Sequence, residues 1–173
     1  MRLWLWLFLL CCLLCTSCAY QVVTPVPPPI SESKKLSIVQ AHLLLGQWGL
    51  AKKKLDQVGV SYQGRDYWRL LSLYWLSVED YSKALLVHEK TLRKFPEDTF
   101  IWNNYGVLLG LRNRWDDACS AFEKAGKKSV SKRQSVQINL SRCAMRQNKV
   151  NLAEIYLKQA KEIADLPLIG LMT

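Results

Sequence analysis

The sequence predicts an all-α solenoid of about four stacked helical hairpins, and three observations carry that reading. Ala51, Ala84, Ala118 and Ala153 recur at intervals of 33, 34 and 35 residues. Three residues before them stand Trp48, Tyr81, Trp115 and Val150, and four residues after them Leu55, His88, Phe122 and Leu157. Breakers such as Gly46, Gly59, Gly64 and Pro96 fall between the apolar periodic stretches. A period of about 34 residues marks helical hairpins that bury their apolar faces only against their neighbours.

The elements follow in chain order. Arg2 precedes an apolar run over residues 3–14, and Thr16 and Ser17 lead to Cys18, which is the layout of a secretory signal peptide. The run is short for a membrane span, which needs about 20 apolar residues. Its ending resembles a bacterial lipobox, in which a peptidase cuts before a cysteine that then becomes lipidated. Residues 1–17 would be the leader and Cys18 the lipidation site, although Cys15 stands where leucine is usual. A retained inner-membrane anchor and an ordinary cleaved signal are the alternatives. Ala19 stands where an aspartate would signal inner-membrane retention, so the resemblance implies lipid anchoring in the outer membrane, facing the periplasm. Residues 18–33 form a tether with Pro25, Pro27, Pro28 and Pro29. In polyproline geometry, at about 3.1 Å per residue, its ten-residue core at 21–30 reaches about 30 Å.

Ser31 and Ser33 offer N-caps for the first helix. Four units are expected, at about 34–61, 64–97, 98–129 and 131–164. In the first, Leu36, Val39, Leu43 and Leu44 keep helical spacing over 34–45, and a second helix runs over 48–58. The second unit has helices over 66–77 and 79–94 and closes at Pro96, where a helix cannot continue. The third is capped by Asp98 or Thr99, runs to about 111 and resumes over 115–126. The fourth spans 131–147 and 150–164. The tail, 165–173, is apolar through Leu166, Leu168, Ile169, Leu171 and Met172, and either covers the open end of the stack or docks a partner.

The third unit, with Trp102, Tyr105, Gly106, Leu109, Ala118, Phe122 and Ala125, resembles the tetratricopeptide repeat. The second repeats the pattern with Trp68, Leu71, Ser72, Trp75, Ala84 and Pro96. The outer units are looser, as terminal repeats with solvated faces are. The resemblance implies a right-handed superhelix in which small residues meet where the two helices of a hairpin cross, Gly106 against Ala118 and Ser72 against Ala84. It also places Cys119 and Cys143 at the junction between the third and fourth units, where they either pair or pack as two separate thiols.

No catalytic constellation is proposed. His42 and His88 fall on different units at positions the repeat fills with packed side chains, and the chain offers no glycine-rich phosphate loop, HExxH or paired CxxC motif. No cofactor, metal or nucleic acid is expected. The formal net charge is +10, from 24 basic and 14 acidic residues, which favours anionic partners. Lys124, Lys127, Lys128, Lys132 and Arg133 cluster at one inter-helix corner that is either an anion contact or a solvated face.

The first helix of each hairpin lines the concave groove in this family. Projected onto this chain, the groove positions are Arg69, Leu73, Leu76, Asn103, Val107, Ile138, Arg142 and Met145, mainly apolar with three polar anchors. They do not reproduce the lysine and asparagine clamp with which some members hold a peptide carboxylate. The expected function is that of an outer-membrane lipoprotein scaffold binding another envelope protein. The architecture resembles the pilotin-like lipoproteins of pilus biogenesis, which implies a secretin or pilus component as partner. An adaptor for peptidoglycan hydrolases or proteases is the alternative.

Overall fold

The computed structural model describes residues 31–127 and 133–164. Among the described residues there are eight α-helices and no strand. They are α1 (Glu32–Leu44), α2 (Trp48–Asp56), α3 (Arg65–Ser77), α4 (Tyr81–Lys94), α5 (Thr99–Leu111), α6 (Trp115–Gly126), α7 (Gln134–Arg146) and α8 (Val150–Ala164). Consecutive helices pair as hairpins, and the hairpins stack into a right-handed solenoid of four units. The leader, Cys18, the proline tether, the tail and Lys128 and Lys132 lie outside the described residues.

Each hairpin turns by the same device. Gly46, Glu79, Asn113 and Asn148 all have positive φ, at 67°, 59°, 64° and 57°. Each lies five residues before its repeat alanine, so the first helix ends in a left-handed residue that reverses the chain in a three-residue turn. Glycine and asparagine tolerate that conformation, but Glu79 does so at a cost. The fourth helix, expected from 79, begins instead at Tyr81 because Asp80 caps it, its carboxylate accepting from Lys83 N at 3.1 Å. Ser31 likewise caps α1 through Lys34 N. The seventh helix, expected from 131, begins at Gln134. The second helix ends at Asp56 rather than 58, with Val58 folded into the core.

The alanine series sets the register. Ala51, Ala84 and Ala118 are 0% exposed and Ala153 1%, so the second helix of every hairpin presents its smallest side chain to the first. Four residues on, Leu55, His88 and Phe122 are also buried, whereas Leu157 of the last unit is 50% exposed. A Cβ on Gly106 would lie 2.5 Å from the Phe122 ring, so Gly106 makes room for Phe122. Ser72 donates to the Trp68 carbonyl and shares a buried 3.2 Å contact with Thr91.

Two apolar clusters form the core. One joins α1 through α4 around Val39, Leu55 and Trp68. The other joins α5 through α7 around Leu109, Phe122, Val136 and Leu140. Cys119 of α6 and Cys143 of α7 are bonded (S–S 2.04 Å) inside the second cluster, tying the third unit to the fourth. His88 fills the core between the second and third units. Its Nδ1–H donates to the Ala84 carbonyl at 2.7 Å and its ring stacks on Tyr105. His42 differs from the packed role expected of it: it is only half-buried, and its Nδ1 donates to Gln47 Oε1 at 2.6 Å.

Candidate protein-binding cleft

Because the helices of each hairpin alternate in direction, α1, α3 and α5 lie side by side on one face, α1 packing on α3 and α3 on α5. Their spacing leaves a cleft of about 810 Å³. Its apolar wall comes from Leu36, Leu43 and Leu44 of α1 and Leu70 and Leu73 of α3, and its far end from Phe100 and Arg133. Leu44, the last residue of α1, is 80% exposed. Covering one such side chain is worth about 1.5–3 kcal/mol.

Polar order at the far end is fixed by Asp98. Its carboxylate is fully buried and caps α5, accepting from Phe100 N at 3.1 Å and Ile101 N at 3.2 Å. It also accepts from Arg69 Nε at 2.7 Å and faces Arg65 Nε at 3.9 Å. Arg69 Nη1 in turn donates to Asp66 at 3.2 Å. The Arg69 and Arg133 guanidinium groups lie 5.9 and 5.5 Å from the Phe100 ring centre, flanking an aromatic with two cations. The cleft therefore offers an apolar strip ending in a positively charged aromatic corner, suited to an amphipathic segment with an acidic end.

The eight groove positions expected from sequence do not form one line. Arg69 and Leu73 lie in the cleft. Val107 and Arg142 line a separate cavity of about 130 Å³ beside Trp115 and Phe122. Asn103 is not a groove anchor: it is buried, and its Oδ1 accepts from Asn139 Nδ2 at 3.0 Å, while Asn139 Oδ1 accepts from Arg142 at 3.4 Å. This polar ladder joins α5 to α7 and holds the units in register. Leu76 and Ile138 are half-buried and Met145 is exposed, and neither cavity is lined by them. The α1 wall, Phe100 and Arg133 are absent from the expected groove. The available signal was the apolar residue beyond the core stripe, Leu44 beside Leu43, which one helix face cannot bury with Val39.

Among the described residues no group of His, Cys, Asp and Glu is placed to hold a metal ion, and no helix is long and apolar enough to cross a membrane.

The fold defines a solenoid of the tetratricopeptide-repeat kind. In particular, the chain is similar to TTC0263, a thermophilic TPR protein of Thermus thermophilus, with TM-score 0.68 and 15% identity over 82% of this chain and 78% of that one. It is similar to PilF of Pseudomonas aeruginosa, with TM-score 0.67 and 19% identity over 75% of this chain and 59% of that one. MamA shares the architecture at TM-score 0.61 and 14% identity, over 78% of this chain and 79% of that one. No protein-family model and no curated protein sequence matches the chain. At these identities the likeness defines the fold alone.

Proposed function

We propose that the chain is a lipid-anchored scaffold of the bacterial outer membrane whose cleft captures an envelope protein and assists assembly or stability of a pilus or secretin complex. The observation that carries the reading is the cleft itself: an apolar wall on α1 and α3, half-buried at Leu36, Leu70 and Leu73 and exposed at Leu44, that ends at Arg69, Phe100 and Arg133. A partner helix laid along this wall would cover Leu44 together with the half-buried leucines beside it. The leader ending at Cys18 supports the anchor, and the likeness to PilF favours a pilus system over other envelope machines.

A photo-crosslinking residue at Leu44, in cells making the full chain, is expected to trap a secretin or pilus component. Leu44→Asp is expected to weaken that capture and lower the amount of assembled secretin, with helical content unchanged because the side chain is already exposed. Crosslinks absent from Leu44 but present at Leu86, an exposed residue of α4 outside the cleft lining, would move the binding face and end this reading. Labelled palmitate is expected in the wild type and absent from Cys18→Ala; equal labelling would remove the anchor.

A further inference from the structure

We propose that the edge of the solenoid at which the chain enters α1 docks on an anionic lipid surface. Three-residue turns make successive helices antiparallel, so the first ends of α1, α3, α5 and α7 share one edge with the last ends of α2, α4, α6 and α8. The last turns of those four second helices carry Lys53 and Lys54, Arg93 and Lys94, Lys124, and Lys161. The helix dipole favours cations at any helix C-terminus. It would therefore enrich the opposite edge equally, where α1, α3, α5 and α7 end, yet only His42 and Arg146 stand in those last turns. The opposite edge also holds Asp116 and Asp117 in the first turn of α6, with Asp117 engaged by Arg114 at 2.8 Å, and its turns carry Arg112, Arg114 and Lys149. The entry edge also carries acids: Glu32, Asp56 and Asp66 are engaged by Lys35 at 2.7 Å, Lys52 at 2.7 Å and Arg69 at 3.2 Å, and Glu97 lies in the connection between α4 and α5. Dipole compensation accounts for some lysines but not for their segregation.

Two further observations point the same way. Trp68 and Trp102 occupy equivalent places in the second and third units, and so do Lys90 and Lys124. Lys90 and Lys94 lie 4.9 and 5.4 Å from the Trp68 ring centre, and Lys124 lies 4.2 Å from that of Trp102. These are cation–π contacts of the ammonium groups themselves, on lysines that remain exposed as residues. A cavity of about 290 Å³, lined by Pro96, Glu97, Thr99, Trp102, Lys124 and Lys127, opens among these cations and is large enough for a phosphate headgroup. The chain enters α1 at Ser31 on this same edge, so a tether from Cys18 joins the domain at the edge proposed to dock. The inference rests on the anchor proposed above.

The test uses the lipidated full chain in vesicles of phosphatidylcholine alone or enriched in phosphatidylglycerol, with lysine labelling by an amine reagent read by mass spectrometry. Basic side chains near an anionic surface gain about 1 kcal/mol each, roughly fivefold in occupancy. Lys90, Lys94 and Lys124 are expected to label about tenfold more slowly on the anionic vesicles, while Lys149 on the turn edge labels equally on both. Lys94→Gln with Lys127→Gln is expected to restore rapid labelling of Lys90, and Lys94→Arg with Lys127→Arg to preserve protection. Equal rates at both edges in both vesicles would overturn the proposal. So would protection that inorganic phosphate abolishes, which would mean a pocket for free phosphate, or protection that needs only an envelope protein. A chain without lipid on Cys18 that still shows protection would support the edge whatever palmitate labelling shows of the anchor; a lipidated chain without protection would overturn the edge and leave the anchor.

Discussion

His88 makes folding sensitive to mild acid in a way that can be worked out from its surroundings. The side chain is 0% exposed, its Nδ1–H is committed to the Ala84 carbonyl, and its buried Nε2 has no partner to share a second proton. Burial disfavours the imidazolium and lowers the pKa from 6.5 to about 4, against a smaller opposing effect of the Ala84 hydrogen bond. The unfolded chain therefore binds a proton between these values that the folded chain refuses. Stability from this residue is complete above the unfolded pKa and is lost as pH falls through the window. With about 1.4 kcal/mol for each tenfold change, the loss is about 2 kcal/mol at pH 5 and about 3 kcal/mol near pH 4. Urea unfolding followed by helical circular dichroism at pH 7 and pH 5 gives the measurement, with His88→Leu as the reference that cannot titrate. The variant is expected to lose about 2 kcal/mol less than the wild type over that interval. Parallel losses in the two proteins would refute the account of His88 as a buried, neutral ring.

Other outcomes follow from particular contacts. Glu79→Asn places a residue tolerant of positive φ in the second hairpin turn and is expected to stabilise by about 0.5–1 kcal/mol, read as a shift in the denaturation midpoint; no shift would mean that the turn bears no strain. Gly106→Ala pushes a methyl into the Phe122 ring and is expected to cost about 1–3 kcal/mol. Gly106→Ala with Phe122→Leu should recover much of that loss, and a double variant no better than the single one would place the clash elsewhere. Reducing the Cys119–Cys143 bond, which closes a loop of sequence separation 24, is expected to cost about 3 kcal/mol, whereas Cys119→Ala with Cys143→Ala should be insensitive to reductant. Asn103→Ala strands the Asn139 amide at the α5–α7 contact, so it should lower stability by about 1–3 kcal/mol rather than act only on binding.

The fold is legible because its period is repeated four times and each repeat offers an alanine that tolerates no larger neighbour. The turn positions are legible only in part: glycine and asparagine announce a left-handed residue, but Glu79 gives no such signal and reads as helix. Groove residues are harder, since the first helix of a hairpin has an apolar side toward its partner and another toward the cleft. Val107 and Leu73 look alike in sequence, yet one serves a small cavity between α5 and α7 and the other a wide cleft. Asn103 reads as an anchor because polar residues on such a helix usually face water. Its partner lies 36 residues away, where no local pattern can reveal it.

The one covalent staple among the described residues makes this array mechanically lopsided. In a stack whose units touch only their neighbours, cohesion is a chain of junctions, and opening starts at the weakest end. The bond between α6 and α7 locks the last junction, while α1 and α2 are held by packing and by hydrogen bonds such as His42 to Gln47 and Lys35 to the Gln57 carbonyl. The first hairpin is therefore the end expected to open first, and α1 is also one wall of the cleft. A client spanning α1 and α3 would bridge a junction that the fold leaves soft. Occupancy would then be reported as slowed amide exchange in α1 and α2, and an empty scaffold would be known by its open first hairpin.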